Sequence, residues 1–250
     1  MSEEFHRKDL TGARFEEVDF SGGWFRNVYL KDVVMRGVWM ENVDIDAAVR
    51  NVVINGVDVG PLIEAELDRR DPDRRLIHPT TAEGYRQGWA MTERRWEQTV
   101  ARARELPEDV LHERVLDEWS FIETLRHLVM ATNSWVLRVL EGDPYPYTPL
   151  DLPFTEMEDI PGVPNDPDAR PSLDEILAIR AERMAVVRRI IESLTDADLD
   201  RMTEPVPEPG YPPSQSYRVG DVLETILVEE YLHRGYAERD LAVLGSRSQE

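Results

Sequence analysis

The residues best suited to chemistry lie near the C-terminal end, where Glu229, Glu230 and His233 interrupt an apolar stripe. At 100° per residue this stripe occupies one face of a helix. Its members are Val219, Val222, Leu223, Ile226, Glu229, Glu230, His233, Ala237, Leu241 and Leu244. A buried carboxylate is costly unless it is paired or bound to a cation. Because Glu229 and His233 are four residues apart, they lie one above the other and could bind one divalent metal ion.

Four long helices are predicted to position these residues, and a shorter helix, 62–69, precedes them. Apolar periodicity places the long helices at 81–105, 120–141, 172–194 and 218–244. Three of them begin with a predicted capping box, formed by Thr80 and Glu83, Ser120 and Glu123, and Ser172 and Glu175. The second and third helices are joined by a long proline-rich connection, which is typical of a lid, a binding loop or a crossover. This pattern predicts a four-helix bundle, a fold that holds metal sites in its core.

His127, on the second helix, is a candidate partner for the glutamates. A helical wheel places the apolar stripe of this helix on Phe121, Leu125, Leu128, Val129, Thr132 and Val136. His127 falls almost opposite that stripe, together with Glu123 and Ser134. Periodicity alone therefore predicts a surface histidine.

The first sixty residues carry an internal repeat of five residues. Large apolar side chains recur at Phe5, Leu10, Phe15, Phe20, Phe25, Leu30, Met35, Met40 and Ile45, and after one missing residue at Val49, Ile54 and Val59. Small or β-branched residues stand two positions before most of them. Neither a helix nor a strand has this period, but a chain that turns a corner every five residues does. The segment resembles a pentapeptide-repeat protein, and the resemblance implies a right-handed quadrilateral β-helix.

The two motif regions resemble the DinB-like superfamily of metal-binding four-helix proteins. They are Thr-Leu-Arg-His-Leu-Val at 124–129 and Val-Glu-Glu-Tyr-Leu-His at 228–233, followed by Arg-Gly-Tyr-Ala-Glu-Arg-Asp-Leu at 234–241. The likeness extends to actinobacterial members that have an N-terminal pentapeptide-repeat segment. In this superfamily a histidine of the second helix and a pair four residues apart on the last helix bind zinc, nickel or iron. Many members use two histidines in that pair, whereas this chain has a glutamate and a histidine.

The N-terminal domain of mycothiol-dependent maleylpyruvate isomerase, a related member, uses a histidine, a glutamate and a histidine. Carried over by position, the metal ligands are His127, Glu229 and His233, and zinc is the metal most expected. Glu230 is the alternative ligand. If Glu229 binds the metal, Glu230 becomes an outer-sphere acceptor or a catalytic general base. Tyr145, Tyr147 and Phe154 are candidates to line the site from the proline-rich loop, whereas Trp89, Trp96, Trp119 and Trp135 are expected in the core.

The fold predicted from these patterns and resemblances is α+β. A short right-handed quadrilateral β-helix of pentapeptide repeats occupies 1–61, a short helix and linker 62–79, and an up-down-down-up DinB-like four-helix bundle 80–250. No cysteine is present and only Lys8 and Lys31 are lysines. The net charge of −21 argues against binding to nucleic acid or to anionic membranes. The start lacks a signal-peptide pattern, so a cytoplasmic protein is expected.

The resemblance predicts a metal-dependent enzyme acting on a small-molecule substrate, as a thiol transferase with a mycothiol-type co-substrate or as a hydrolase. The alternative is a non-catalytic scaffold in which the repeat segment mediates docking or homodimer formation. A weaker alternative is DNA mimicry by the repeat, which its mixed acidic and basic residues disfavour.

Overall fold

The helices of this chain dominate its structure, a computed structural model that describes residues 4–247. The two strands β1 (Val53–Ile54) and β2 (Val57–Asp58) pair antiparallel. The helices are α1 (Gly60–Arg70), α2 (Ala82–Ala103), α3 (Phe121–Thr132), α4 (Leu173–Ser193) and α5 (Val219–Arg247). A π-helical segment, Asn133–Leu140, continues α3. Short 3₁₀ turns occur at Pro72–Ile77, Val110–His112 and Asp196–Asp200. The predicted long helices are thus confirmed to within three residues at each end.

The caps explain where the helices begin. Both predicted capping boxes of α3 and α4 are present, with Ser120 and Ser172 as the N-cap residues. The predicted cap of α2 was wrong by one residue. Thr81, and not Thr80, accepts a hydrogen bond at 3.1 Å from the backbone N–H of Gly84. Glu83 instead pairs with Arg86 and so does not complete a capping box.

The long helices pack as a ring in which α2 and α3 each contact both α4 and α5. Tyr85, near the start of α2, donates a hydrogen bond at 2.8 Å to the carbonyl of Gly220, near the start of α5, so these helices run parallel. The end of α2 instead meets the start of α4, where Arg104 pairs with Asp174 at 2.6 Å, so α2 and α4 run antiparallel. If α2 is taken as pointing up, α5 also points up and α4 points down.

Two apolar clusters fill the bundle and fix the direction of α3. Val136, beyond the end of α3, belongs to the same cluster as Val219 at the start of α5. Phe121, at the start of α3, shares the second cluster with Leu241 near the end of α5. The two helices are hence antiparallel, and the bundle is arranged up-down-down-up. The tryptophans Trp89 and Trp96 are buried in these clusters, as predicted.

Residues 4–48 belong to a compact unit of their own. Its backbone takes a positive φ at every fifth residue, at Arg7, Gly12, Glu17, Gly22, Asn27, Asp32, Gly37 and Asn42. The large apolar side chains of the repeat are 46–68% exposed, and the rings of Phe15 and Phe20 meet edge to face at 5.6 Å. In residues 4–247 the one sheet has two strands. The predicted β-helix therefore stays a prediction.

The second compact unit begins at Val49 and contains the bundle. Residues 1–3 and 248–250, at the outer ends of the predicted first and last domains, lie outside the described residues. Within 4–247, no helix has the length and apolar character needed to cross a membrane.

Candidate metal centre

Three predicted ligands meet between α3 and α5. Each of His127, Glu229 and His233 offers one possible ligand atom, and these atoms all lie within 4.8 Å of one another. Glu229 Oε2 lies 3.6 Å from Nε2 of His127 and 3.2 Å from Nδ1 of His233. The two imidazole rings are 4.8 Å apart between centroids. Two imidazoles and one carboxylate form a donor set that suits zinc and other divalent transition metals.

The capping box of α3 helps to place His127. Ser120 ends the preceding loop, and its hydroxyl accepts a hydrogen bond from the backbone N–H of Glu123. The carboxylate of Glu123 in turn accepts one at 2.8 Å from the backbone N–H of Ser120. Arg114 holds the same carboxylate, with its Nε 3.0 Å from Oε2. Burial acts to raise the pKa of Glu123, but these hydrogen bonds keep that pKa below its ordinary value. The start of α3 is thus fixed, and His127 lies in its second turn.

Backbone carbonyls orient both imidazoles. Nδ1 of His127 lies 3.0 Å from the carbonyl oxygen of Leu152, and Nδ1 of His233 lies 2.9 Å from that of Glu229. A carbonyl oxygen can only accept a hydrogen bond, so Nδ1 carries the proton in each ring. When neutral, each ring therefore keeps a free lone pair on Nε2, the atom with which it would bind a metal.

The cluster places two acceptors face to face. Oε2 of Glu229 is buried and makes no hydrogen bond of good geometry. It faces Nε2 of His127, which in the neutral ring is also an acceptor. Two buried lone pairs in this arrangement require a proton or a cation between them. The residues present therefore fit a divalent metal ion.

Electrostatics favour a neutral His233 and an ionised Glu229. Burial, and then the neighbouring His127, lower the pKa of His233 to about 4. Burial acts to raise the pKa of Glu229, but the attraction of its carboxylate for the protonated form of either imidazole holds that pKa below its ordinary value. At neutral pH the pair thus has the protonation state that metal ligation needs.

Beside the three residues a cavity of about 240 Å³ opens. Trp119 lines this cavity, and its ring packs 4.5 Å from that of His127 and 6.0 Å from that of His233, centroid to centroid. The other lining residues are Met130, Ala131, Ser134, Trp135, Phe154 and Tyr211. Trp119 and Trp135 were expected in the core. Trp135 does pack against the first apolar cluster and lines the cavity as well, whereas Trp119 belongs to neither apolar cluster. A lone sequence cannot separate a tryptophan that fills a core from one that lines a cavity.

The proline-rich loop covers the outer face of α3. Every residue of α3 is buried, so the predicted surface position of His127 was wrong. Three consecutive loop residues accept hydrogen bonds from side chains of α3 and its π-helical continuation. Leu150 accepts from Arg126, Asp151 from Asn133, and Leu152 from His127. The helical wheel detects the face that meets other helices but contains no information about a loop that folds back over the opposite face.

Of the aromatic residues predicted to line the site, the structure places Phe154 in the cavity wall. Tyr147 lies behind the wall, where its hydroxyl donates to the carbonyl of Tyr211 and accepts from its N–H, both at 2.9 Å. Tyr145 is 75% exposed. The sequence analysis missed Tyr211 as a lining residue, and the adjacent prolines gave no signal for it.

The second glutamate, Glu230, turns away into the bundle. Its side chain is 1% exposed and pairs with Arg180 of α4 at 2.9 Å. The guanidinium of Arg180 also lies over the ring of Trp96, 4.8 Å from its centroid. Glu230 thus has a cationic partner of its own, and its predicted role as a general base stays a prediction.

Comparison with known proteins identifies a family. The family model of the DinB superfamily matches residues 91–237, which include α3, α4 and all three clustered residues. Neither the curated proteins nor the solved structures contain a significant match to this chain.

Proposed function

Because this chain belongs to the DinB superfamily, whose domains are typically metal-binding, we propose that it is a metal-dependent enzyme acting on a small molecule. The metal ligands would be His127, Glu229 and His233, and zinc is the metal that the donor set favours. The observation that carries the proposal is the buried pair of facing acceptors, Nε2 of His127 and Oε2 of Glu229. The adjacent cavity supports a small-molecule substrate.

The chemistry would combine a Lewis acid with a sheltered cavity. When bound, a divalent cation polarises a small molecule beside it and lowers the pKa of a thiol or water. The chain's own residues hold the two imidazoles through Leu152 and Glu229 carbonyls, and Trp119 shields them on one side. Burial, and then the nearby Glu229, raise the pKa of Tyr211, so its hydroxyl keeps its proton and can donate a hydrogen bond to an occupant.

A mycothiol-type thiol is the co-substrate that the family resemblance suggests. The chain has no cysteine, so any thiol must come from solution. Transfer of such a thiol to an electrophile is the first reaction that we propose, and hydrolysis is the second. In the non-catalytic alternative, the bundle would be a metal-stabilised or metal-free scaffold.

Elemental analysis tests the metal site directly. Wild-type protein purified without added metal should contain nearly one divalent ion per chain, and His233→Ala should lose it. His78→Ala is the matched control, because His78 is exposed and pairs with Glu224 away from the cluster. A wild type that is metal-free and binds neither zinc nor cobalt in titration would support the scaffold instead.

For the N-terminal segment we infer a pentapeptide-repeat coil. The support is the positive φ at every fifth residue from Arg7 to Asn42, because a chain that turns a corner at regular intervals needs one unusual backbone conformation per corner. A docking or dimerisation role follows from the resemblance, and sedimentation of the full chain with and without residues 1–48 would test it.

A further inference from the structure

The wall of the cavity carries no positive charge. Of the residues that the structure describes, no arginine or lysine lines this space. Its one anionic lining group, Glu229, belongs to the metal cluster. An anionic substrate needs a cationic or hydrogen-bonding partner when water is removed. Beyond the metal cluster the wall offers the hydroxyl groups of Ser134 and Tyr211 and the indole N–H groups of Trp119 and Trp135, but no cation.

Nearby guanidinium groups are already engaged. Arg126 donates to three backbone carbonyls of the proline-rich loop at 2.6–3.1 Å. Arg180 pairs with Glu230, and Arg183 donates at 2.6 Å to the side-chain oxygen of Asn133. Redirecting any of them to a substrate would break a buried contact. These arginines therefore do not supply the missing charge.

Three further aromatic rings contact one another in the cavity wall. The ring of Tyr211 meets that of Trp135 at 6.0 Å and that of Phe154 at 5.4 Å, both edge to face. Tyr147 fixes the backbone of Tyr211 through its two hydrogen bonds. A preformed set of aromatic faces binds an aromatic guest by stacking and by apolar burial.

Size is compatible with such a guest. An apolar cavity of about 150 Å³ is enough to hold benzene. The cavity beside the cluster measures about 240 Å³, which leaves room for a substituted ring.

We propose that this cavity selects a small molecule with an uncharged aromatic body and a single anionic donor group directed at the metal cluster. This inference rests on the proposed metal site. A divalent cation held by one carboxylate retains one net positive charge, which balances one anionic donor. Substrates that carry a further carboxylate or phosphate on their body should bind more weakly, because the wall holds no cation to pair with that charge.

Four hydroxamates test the proposal on the cobalt-loaded full-length protein. Benzohydroxamate supplies the ring, acetohydroxamate lacks it, 4-carboxybenzohydroxamate adds a charge, and 4-carbamoylbenzohydroxamate matches the carboxylate in size without the charge. The change in the visible cobalt spectrum gives each Kd. We expect benzohydroxamate and the carbamoyl compound to bind at least tenfold more tightly than the other two. Equal binding of the carbamoyl and carboxy compounds would overturn the proposal, as would equal binding of benzohydroxamate and acetohydroxamate.

A variant can supply the missing charge. Phe154→Arg should raise the affinity for 4-carboxybenzohydroxamate at least tenfold and lower the affinity for benzohydroxamate. Phe154→Leu should lower the affinity for both of these compounds without favouring the charged one. If Phe154→Arg leaves the ratio of the two affinities unchanged, the charge argument fails.

The metal-free protein separates this proposal from the metal site. Benzamide should quench tryptophan fluorescence at lower concentration than 4-carboxybenzamide even without a metal, because the aromatic wall is preformed. If cobalt does not bind but this preference holds, the proposed function fails while the charge selectivity stands. If cobalt binds and the two amides bind equally, the charge selectivity fails alone.

Discussion

Two neighbouring glutamates have different tasks because their partners come from different helices. Glu229 faces His127 of α3, whereas Glu230 faces Arg180 of α4. Both lie on the same stripe of α5, so the sequence could place them in the bundle but could not separate their roles. It favoured Glu229 as a ligand on its spacing from His233 alone. The deciding information, which helix each carboxylate faces, depends on tertiary packing.

Replacement of Glu229 should remove metal and leave the fold intact. Glu229→Gln keeps the size of the side chain but loses the charge that attracts a cation. We expect a fall in cobalt affinity greater than the about 10–100-fold that loss of an outer-sphere partner costs. Isothermal titration of the metal-free protein measures it, and circular dichroism checks the helices. Unchanged affinity would exclude Glu229 as a ligand.

Replacement of Glu230 should instead destabilise the fold and leave the metal bound. Glu230→Gln leaves the guanidinium of Arg180 buried without its counter-charge, and loss of one partner of a buried pair costs about 3–5 kcal/mol. We expect this fall in the free energy of unfolding, measured in urea, while metal content stays near that of the wild type. Loss of metal with unchanged stability would instead make Glu230 the ligand.

Among the elements, α3 departs most from its sequence prediction. The capping box and the apolar stripe predicted the start of the helix and its core face correctly. They could not predict burial of the other face, because this depends on Arg126, Asn133 and His127 binding a loop more than ten residues away. The change to π-helical hydrogen bonding at Asn133 was also not predicted, and propensity gives no signal for it. The widened segment carries Ser134 and Trp135, both of which line the cavity.

The anchoring role of Arg126 gives a prediction for this element. Arg126→Met removes hydrogen bonds to the carbonyls of Leu150, Asp166 and Ala169, so the loop should loosen and Leu152 should hold His127 less well. We expect faster proteolysis within residues 142–171 and a loss of cobalt affinity of about 10–100-fold.

Arg138→Met is the matched control for this variant. Arg138 is equally buried but donates to Val206 and to Glu208 in the other long loop. Its replacement should leave cobalt affinity and cleavage at 142–171 near those of the wild type. Equal loss of affinity in both variants would mean that any buried arginine supports the site through general stability.

At the scale of the whole molecule, Asp71 joins the region before the family match to the bundle. Its carboxylate pairs with Arg95 of α2 at 2.6 Å and accepts a hydrogen bond from Tyr231 of α5 at 2.7 Å. Arg95 above all, with smaller help from Tyr231, lowers the pKa of Asp71 to about 2 against the opposing effect of burial. A group with a depressed pKa stabilises the fold above its unfolded pKa and loses this contribution as pH falls through the folded value.

The effect of Asp71→Asn should therefore depend on pH. The side-chain oxygen of asparagine can still accept the hydrogen bond from the backbone N–H of Asp73, so the variant tests the loss of the negative charge. We expect a loss of about 2 kcal/mol at pH 6 that shrinks as pH falls from about 4 towards 2. Urea unfolding of both proteins across this range measures it. Asp174→Asn, at an exposed pair, should cost little at any of these pH values, and a constant cost for Asp71→Asn would contradict the prediction.

The bundle was more predictable than the N-terminal unit for a physical reason. A helix is stabilised by local hydrogen bonds and marks its core face by apolar spacing, so its position can be derived from nearby residues. The five-residue repeat correctly indicates a regular backbone, as the recurrent positive φ values show. Whether successive coils stack depends on contacts between residues far apart in the chain, and a repeat period does not specify them.

The division of the chain after Ala48 has a practical consequence. Both lysines, Lys8 and Lys31, belong to the first unit, and residues 49–250 contain none. Amine-reactive dyes and cross-linkers will therefore modify side chains of the N-terminal unit and leave those of the bundle unlabelled. A single conjugation step would give this protein a fluorescent label on one unit without chemical damage to the other.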